Sequence, residues 1–339
     1  MKKKYLSISI FVIIFLSAFL WFSHSPSRVY SRVDLLMDTF FEIKISDPQI
    51  SRSELESVLS GAIAYGKTLE GKLDVFNPAS EVNALNVNGK HKCSDELFDI
   101  LQKSVGISEI TGGKFDITTS PVLNAKGFYS RMPEALRSLI PKSFDGVGWE
   151  NVILSPDSND AELLNGAWID PSGIAKGYIV SKISDYLKNI GIRFFLINAG
   201  GDIYCTTKSR GQFWKIGVRE PGSDKMVLAL MIKNMAVATS GDYENVVKSK
   251  DGVSFISHII DPSRNEPIVE RAASVTVITP NAAVADALAT GMMAMNKEDA
   301  VNVANSVSDV EIIAIEHTFD ENVSVLSDGA AKYIIEGEI

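Results

Sequence analysis

Cysteine is scarce. The chain of 339 residues carries two, Cys93 and Cys205, with no CxxC pair and no Cys/His cluster. That pattern removes the zinc readings and leaves pairing of the two thiols open. Positive charge is short as well: 33 lysines and arginines stand against 42 aspartates and glutamates, for a net charge of −9. With no basic stripe anywhere, nucleic acid is excluded as a partner. Internal repeats and low-complexity blocks are absent. Long apolar runs are absent too, apart from one at the N-terminus.

What remains is an ordinary globular composition, 45% hydrophobic and 22% charged, on a chain long enough for one large domain or two modest ones. Lys2, Lys3 and Lys4 precede the apolar run from Leu6 to Phe22. A basic start before such a run predicts an export signal or signal anchor over residues 1–27, with the remainder sent across the cytoplasmic membrane. The run is a little under the ~20 residues usual for a spanning helix but within the tolerated range. No small-residue cleavage site stands out after it, and no cysteine follows to carry a lipid. Residues 28–339 are then expected to form one exported catalytic domain.

Along that domain the pattern predicts a strand from Val33 to Ile45, with Met37-Asp38-Thr39 inside it, and a helix from Ser53 to Leu69. Asn77-Pro78 turns the chain and Ser80 caps a short helix. A helix from Asp95 to Thr111 ends at Gly112-Gly113. Residues 130–165, with Pro133, Pro141 and Pro156, read as a connection. Strands follow at Phe213 to Arg219, Val227 to Ile232, Met235 to Thr239, Ser254 to Asp261 and Ser274 to Ile278. A helix from Asn281 to Met295 precedes further strands from Glu311 on. This mixed order predicts an α+β fold rather than a regular βαβ series.

Four stretches carry chemistry. Trp168-Ile-Asp-Pro-Ser-Gly-Ile-Ala-Lys-Gly-Tyr178 reads as a loop entering a helix, with Asp170 as capping candidate and Pro171 at the first helical position. Ile174, Ile179, Ile183 and Leu187 carry that helix to Gly191, and Phe194 to Ile197 form a short strand. A small-residue loop at a helix start suits an anion, because free N–H groups and the helix dipole meet there. Gly113 to Phe128, rich in small hydroxyl residues, reads as a lining segment or as a buried loop satisfied by Thr118, Thr119 and Ser120. His258, one of four histidines, stands before Asp261-Pro262. Asp286 and Thr290 lie four apart on one helix face among alanine, leucine and methionine. A carboxylate there is costly to bury unpaired, and a carboxylate with a hydroxyl at that spacing suits a hard cation such as Mg²⁺.

Taken in order, Met37-Asp-Thr39, Phe76 to Asn86, Gly113 to Phe128, Asp170 to Tyr178, Asn198 to Asp202, His258 to Pro262 and Asp286 to Thr290 resemble the ApbE family of flavin transferases. The resemblance spans nearly all of the exported region. It implies an α+β, tunnelling-fold-like domain, with helices packed on a mainly antiparallel sheet and two subdomains around a flavin cleft. It implies Mg²⁺ held by Asp286, Thr290 and the backbone carbonyl of Gly173. It implies FAD contacts at Met37, Phe76, Lys126, Gly127, Phe128, Asp170, Lys176 and His258. The family usually has tyrosine at the position of Phe76, which here keeps a stacking face without the hydroxyl. It often has tryptophan at that of Lys126, which alternatively meets phosphate. The implied reaction moves FMN from FAD to a threonine hydroxyl of a client protein and releases AMP. His258 is the candidate for proton transfer, with Asp286 as a second. Clients of the family carry an Asp-x-x-Ser/Thr-Gly-Ala-Ser/Thr motif and are usually membrane electron-transfer subunits. This chain lacks that motif; Ser327-Asp-Gly-Ala-Ala331 does not match it. Two alternatives stay open: hydrolysis of FAD to FMN and AMP at the same metal site, or flavin binding at the membrane without turnover.

Overall fold

The computed structural model describes residues 29–46, 50–207, 212–223, 225–242, 247–248, 255–268, 273–317 and 322–335. The N-terminal apolar run lies outside them. No helix among the described residues is long and apolar enough to cross a membrane.

The frame is one open sheet of eight strands: β1 (Tyr30–Leu36), β2 (Thr39–Ile45), β3 (Phe195–Ala199), β4 (Asp202–Cys205), β5 (Met235–Gly241), β6 (Ser274–Thr279), β7 (Glu311–His317) and β8 (Asn322–Leu326). Spatial order follows chain order, and every neighbouring pair is antiparallel. The sheet is therefore a meander, opened in places by insertions. The largest insertion, between β2 and β3, holds α1 (Arg52–Leu73), α2 (Glu81–Asn88), α3 (Asp95–Ile110), α4 (Ser120–Lys126), α5 (Glu134–Arg137) and α6 (Ser172–Asn189). It also holds a small sheet of Lys90–Lys92, Asp160–Leu163 and Val152–Ser155. Between β6 and β7 lie α7 (Ala282–Met293) and α8 (Lys297–Ser306).

Alternation along the strands gives each face of the sheet its own core. Phe41, Ile43 and Ile45 join Val277 and Ile312 on the face covered by α1, α6 and α7. Leu196, Ile203, Cys205, Val237, Ile278 and Ile313 point to the other face, which is covered by a hairpin of Trp214–Arg219 and Met226–Ile232. Cys93 belongs to the first core and Cys205 to the second, and both are free. Burial pushes each thiol up to about 12, so neither forms a thiolate in neutral solution.

The sequence indicates the Ser80 cap, and those of Ser51 and Asn281 come with the structure. Ser51 caps α1 in a full capping box with Glu54, Ser80 caps α2, and Asn281 caps α7. Four expectations change. Residues 130–165, read as a connection, hold α5 and two paired strands of the small sheet. The strand from Val33 to Ile45 is a hairpin, folded at Met37 and Asp38 with Leu36 opposite Thr39. Both turn residues sit at positive φ, 56° and 55°, as a two-residue turn between right-twisted strands requires. Neither is glycine or asparagine, so the sequence carried no signal for it. The strand over Ser254 to Asp261 resolves, in its described part, into the short pieces Phe255–Ile256 and Ile260–Asp261. Helix α8, with only Ala300 and Ala304 buried, carries too little apolar pattern to be seen in the sequence.

Candidate active site

The site begins where α6 crosses α7. Gly177 makes the crossing possible: a Cβ there would lie 2.2 Å from the Ala282 carbonyl oxygen and 2.6 Å from Asp286 Cβ. The Gly177 amide donates to Asp286 Oδ2 at 2.8 Å. One turn along α7, Thr290 Oγ1 lies 3.4 Å from the Gly173 carbonyl oxygen and 3.3 Å from Ser240 Oγ of β5. Phe115 is wedged into the same junction. It meets the bare backbone of both Gly173 and Gly291, where Cβ atoms would stand 3.3 and 2.8 Å from it. The four-residue spacing therefore delivers a carboxylate and a hydroxyl to one place, beside a backbone carbonyl from another helix.

Asp286 is 2% exposed. Burial pushes its carboxyl above the ordinary carboxylate range, and the nearby charge of Asp202 pushes it further, while Lys176 and the Gly177 amide act against them. Lys176 Nζ lies 3.5 Å from Asp286 Oδ1 and 2.8 Å from Asp202 Oδ2. Two buried carboxylates thus share one ammonium, leaving one negative charge uncompensated when both are ionised. All the available donors here are oxygens, from carboxylate, hydroxyl and carbonyl. That donor set and that residual charge fit a hard divalent cation such as Mg²⁺. Among the described residues no group of three or more His, Cys, Asp or Glu side chains forms a metal cluster.

A second group joins the β1–β2 turn to the start of α6. The Met37 amide donates to Glu70 Oε1 at 2.7 Å, which holds the turn against α1. Asp38 pairs with Arg131 at 3.2 Å, Arg131 stands 5.8 Å from the Phe76 ring, and Phe76 meets Tyr129 edge-on at 5.9 Å. Tyr129 donates to Asp170 Oδ2 at 2.6 Å, and the Ser172 amide donates to Asp170 Oδ1 at 2.8 Å. Helix α6 begins at Ser172 with Pro171 as its cap residue, so Pro171 is not the first helical position and Asp170 lies one residue outside the cap, its carboxylate serving the Ser172 amide. A carboxylate of this chain already serves the first-turn amide that the sequence offered to an outside anion. Tyr129→Phe removes the hydroxyl that holds this buried carboxylate. It is expected to cost about 1.5–3 kcal/mol in urea unfolding, as for a hydrogen bond to a charged group.

The third group ties the 113–128 segment to residues 258–266. Lys114 pairs with Asp261 at 2.8 Å and donates to Ser263 at 3.0 Å, Lys126 pairs with Glu266, and the Phe128 ring faces His258 at 6.5 Å. Gly127, at φ 90°, ends α4 and turns Phe128 toward that contact. Inside the segment, Thr118 donates to Asp116 from both its amide and its hydroxyl, at 2.7 and 2.6 Å. Burial nevertheless raises the Asp116 carboxyl to about 6. A carboxyl raised on folding stabilises the fold below its unfolded value of 3.8, and that contribution is lost as pH rises through about 6. Stability attributable to Asp116 should therefore fall by on the order of 2 kcal/mol between about pH 4 and pH 6. Asp116→Asn should flatten that part of the profile in urea unfolding followed against pH. A cavity of about 620 Å³ between the end of α3 and the start of α8 shares only Lys114 with these groups.

A sequence model of the ApbE family matches residues 37–314, a stretch that contains all three groups. The chain belongs to the ApbE family. An FAD:protein FMN transferase of Vibrio cholerae serotype O1 is 29% identical over 311 residues, taking in 84% of this chain and 91% of that protein. One of Haemophilus influenzae is 27% identical over 292 residues, with 82% and 84% covered. The ApbE protein of Thermotoga maritima superposes with a TM-score of 0.79 at 26% identity, covering 91% of this chain and 100% of that one. The flavin transferase ApbE of Vibrio cholerae does so with 0.76 at 26% identity, again with 91% and 100% covered. The mainly antiparallel sheet with its helical layer is the fold of these ApbE structures.

Within the ApbE chain, Gly173, Lys176, Asp286 and Thr290 converge at one helix crossing. Met37, Phe76 and Asp170 fall in the second group, and Lys126, Gly127, Phe128 and His258 in the third. Asp202, Ser240, Tyr129 and Arg131 join them without having been singled out in the sequence. For Asp202 a signal existed: an acidic residue opening the buried strand Asp-Ile-Tyr-Cys directly after Gly200-Gly201. The other three are brought in by long-range contacts that leave no local pattern.

Proposed function

We propose that this chain is an FAD:protein FMN transferase that moves the FMN moiety of FAD to a threonine hydroxyl of client proteins, releases AMP and depends on Mg²⁺. Family membership supports the transferase. The observation that carries the metal-dependent reading is the buried Asp286 carboxylate, on one helix face with Thr290 and across from the Gly173 carbonyl. Those three would hold Mg²⁺, which supplies positive charge against the FAD pyrophosphate and the leaving phosphate.

The remaining work falls to the chain's own groups. Lys176, with a third of its side chain exposed, brings an ammonium to the same place. Phe76 and Phe128 offer ring surfaces for the flavin. The bond from threonine Oγ to the FMN-side phosphorus forms as the pyrophosphate P–O bond breaks, and AMP leaves with the electron pair. The hydroxyl proton passes to His258, a role supported by its ring contact with Phe128.

The test combines the full-length chain, FAD, Mg²⁺ and a client domain bearing the threonine motif, read by flavin fluorescence in a denaturing gel. A fluorescent client band that EDTA abolishes is expected. A dark client with free FMN and AMP would replace the transferase by a hydrolase, and unchanged bound FAD would leave flavin binding alone. The basic start and apolar run from Leu6 to Phe22 support an enzyme held on the outer face of the cytoplasmic membrane, within reach of membrane electron-transfer subunits. In the host, it should stay with the membrane fraction and be cleaved by protease added outside that membrane.

A further inference from the structure

Asp202 is 4% exposed, at the first position of β4. It follows a turn of two positive-φ glycines, Gly200 and Gly201, so tightly seated that a Cβ on Gly200 would stand 2.3 Å from Thr39 Oγ1. The carboxylate is thus delivered by a rigid strand end, on a different element from the helices that carry Lys176 and Asp286. Among the described residues its Oδ2 has no hydrogen-bond donor apart from the ammonium of Lys176, 2.8 Å away. The same ammonium lies 3.5 Å from Asp286 Oδ1. Asp286 Oδ2 is taken by the Gly177 amide. Oδ1 is thus the oxygen of that carboxylate that accepts no backbone amide bond in the structure, and Lys176 is the group able to block it.

We propose that Asp202 is a positioning residue: it draws the Lys176 ammonium to its own side and so keeps Asp286 Oδ1 open to a divalent cation. This role rests on the metal reading of Asp286, Thr290 and Gly173. The physical argument is competition for one oxygen. An ammonium on a flexible stem goes to the nearest uncompensated carboxylate, and in a buried site that attraction is strong. With the Asp202 carboxylate in place, Lys176 rests on it at 2.8 Å and stands 3.5 Å from Asp286. With that side chain replaced by a neutral one, the Asp286 carboxylate remains a counter-charge within reach of Lys176. Contact with Oδ1 would then place a fixed positive charge where the cation must sit.

The experiment measures Mn²⁺ binding to the metal-free, full-length protein by the loss of free-ion electron paramagnetic resonance signal, and Mg²⁺ by competition. Asp202→Asn is expected to weaken binding about tenfold or more, in the range seen when partners of metal ligands are removed. Asp202→Glu, which keeps the charge, is expected to bind nearly as the parent does. The deciding variant combines Asp202→Asn with Lys176→Met. Removing the competitor should restore affinity to within about threefold of the parent, where a merely structural loss would stay uncorrected. Lys176→Met alone should bind at least as tightly as the parent, which keeps the test open if Asp202→Asn fails to fold. Binding of Asp202→Asn equal to the parent would overturn the proposal, as would a double variant no tighter than Asp202→Asn. Loss of binding in Lys176→Met alone would do the same. A parent protein that binds no Mn²⁺ would overturn the metal reading itself, a distinct result. In flavin transfer, Asp202→Asn should raise the Mg²⁺ concentration needed for half-maximal rate about tenfold and leave the plateau within a few-fold.

Discussion

Asp286→Ala is expected to lower flavin transfer to a client by about a hundredfold or more at every Mg²⁺ concentration, the scale of losing several kcal/mol of charge stabilisation at the phosphorus. The same variant is expected to unfold no more easily than the parent in urea without metal. Asp286 is a carboxylate buried on a helix of alanine, leucine and methionine, and burial and Asp202 both push its carboxyl upward. Keeping it there costs stability, which is the usual state of a group retained for function. After the substitution, Lys176 and Asp202 remain as a matched pair at 2.8 Å. Equal or higher urea midpoint with lost transfer separates a functional carboxylate from a structural one. Retained transfer at saturating Mg²⁺ would remove Asp286 from the site.

Gly177→Ala carries the second large effect, and here stability and activity should fall together. The added methyl meets the Ala282 carbonyl oxygen at 2.2 Å, the Ala282 carbonyl carbon at 2.8 Å and Asp286 Cβ at 2.6 Å. Two of these are backbone atoms of α7 and cannot rotate away, so the helices must separate. Overpacking of this kind costs about 1–3 kcal/mol, against which the helix-propensity gain of alanine over glycine returns up to about 1. The expected net is a loss of about 1–2 kcal/mol, with Thr290 and Asp286 drawn away from Gly173 and transfer weakened accordingly. Gly106→Ala provides the contrast. Gly106 lies inside α3, and a Cβ added there would meet nothing within 4 Å, so alanine should raise stability by about 0.5–1 kcal/mol. A stable, active Gly177→Ala would show that the crossing is looser than its atoms indicate.

Local chemistry was largely legible. Ser80 announced a helix start because a side-chain oxygen at that position satisfies free amides wherever the helix goes in space. Asp286 and Thr290 announced themselves because four residues on a helix make one face. The β1–β2 turn was not legible, since Met37 and Asp38 take left-handed conformations imposed by strand pairing and by the Met37 amide bond to Glu70. Met37 is thereby placed at the tip of a hairpin rather than within a strand. The resemblance marks Lys126 as a flavin or phosphate contact and gives Lys114 no role; their pairing with Glu266 and Asp261 became apparent once two distant loops met.

By itself, then, the sequence determined the element types, the α+β class, the ApbE kinship and the helix face that presents Asp286 and Thr290. The element types and that helix face follow from spacing along a single stretch, where periodicity and capping act over a few residues; the kinship follows from seven motifs standing in order along the chain. Tertiary structure alone decided that Lys176 lies between Asp286 and Asp202 and that the two cysteines sit in separate cores. Those relations depend on how closely α6 approaches α7 at Gly177 and on which strand end reaches the crossing. Both are outcomes of packing between segments far apart in the chain, on which local spacing is silent.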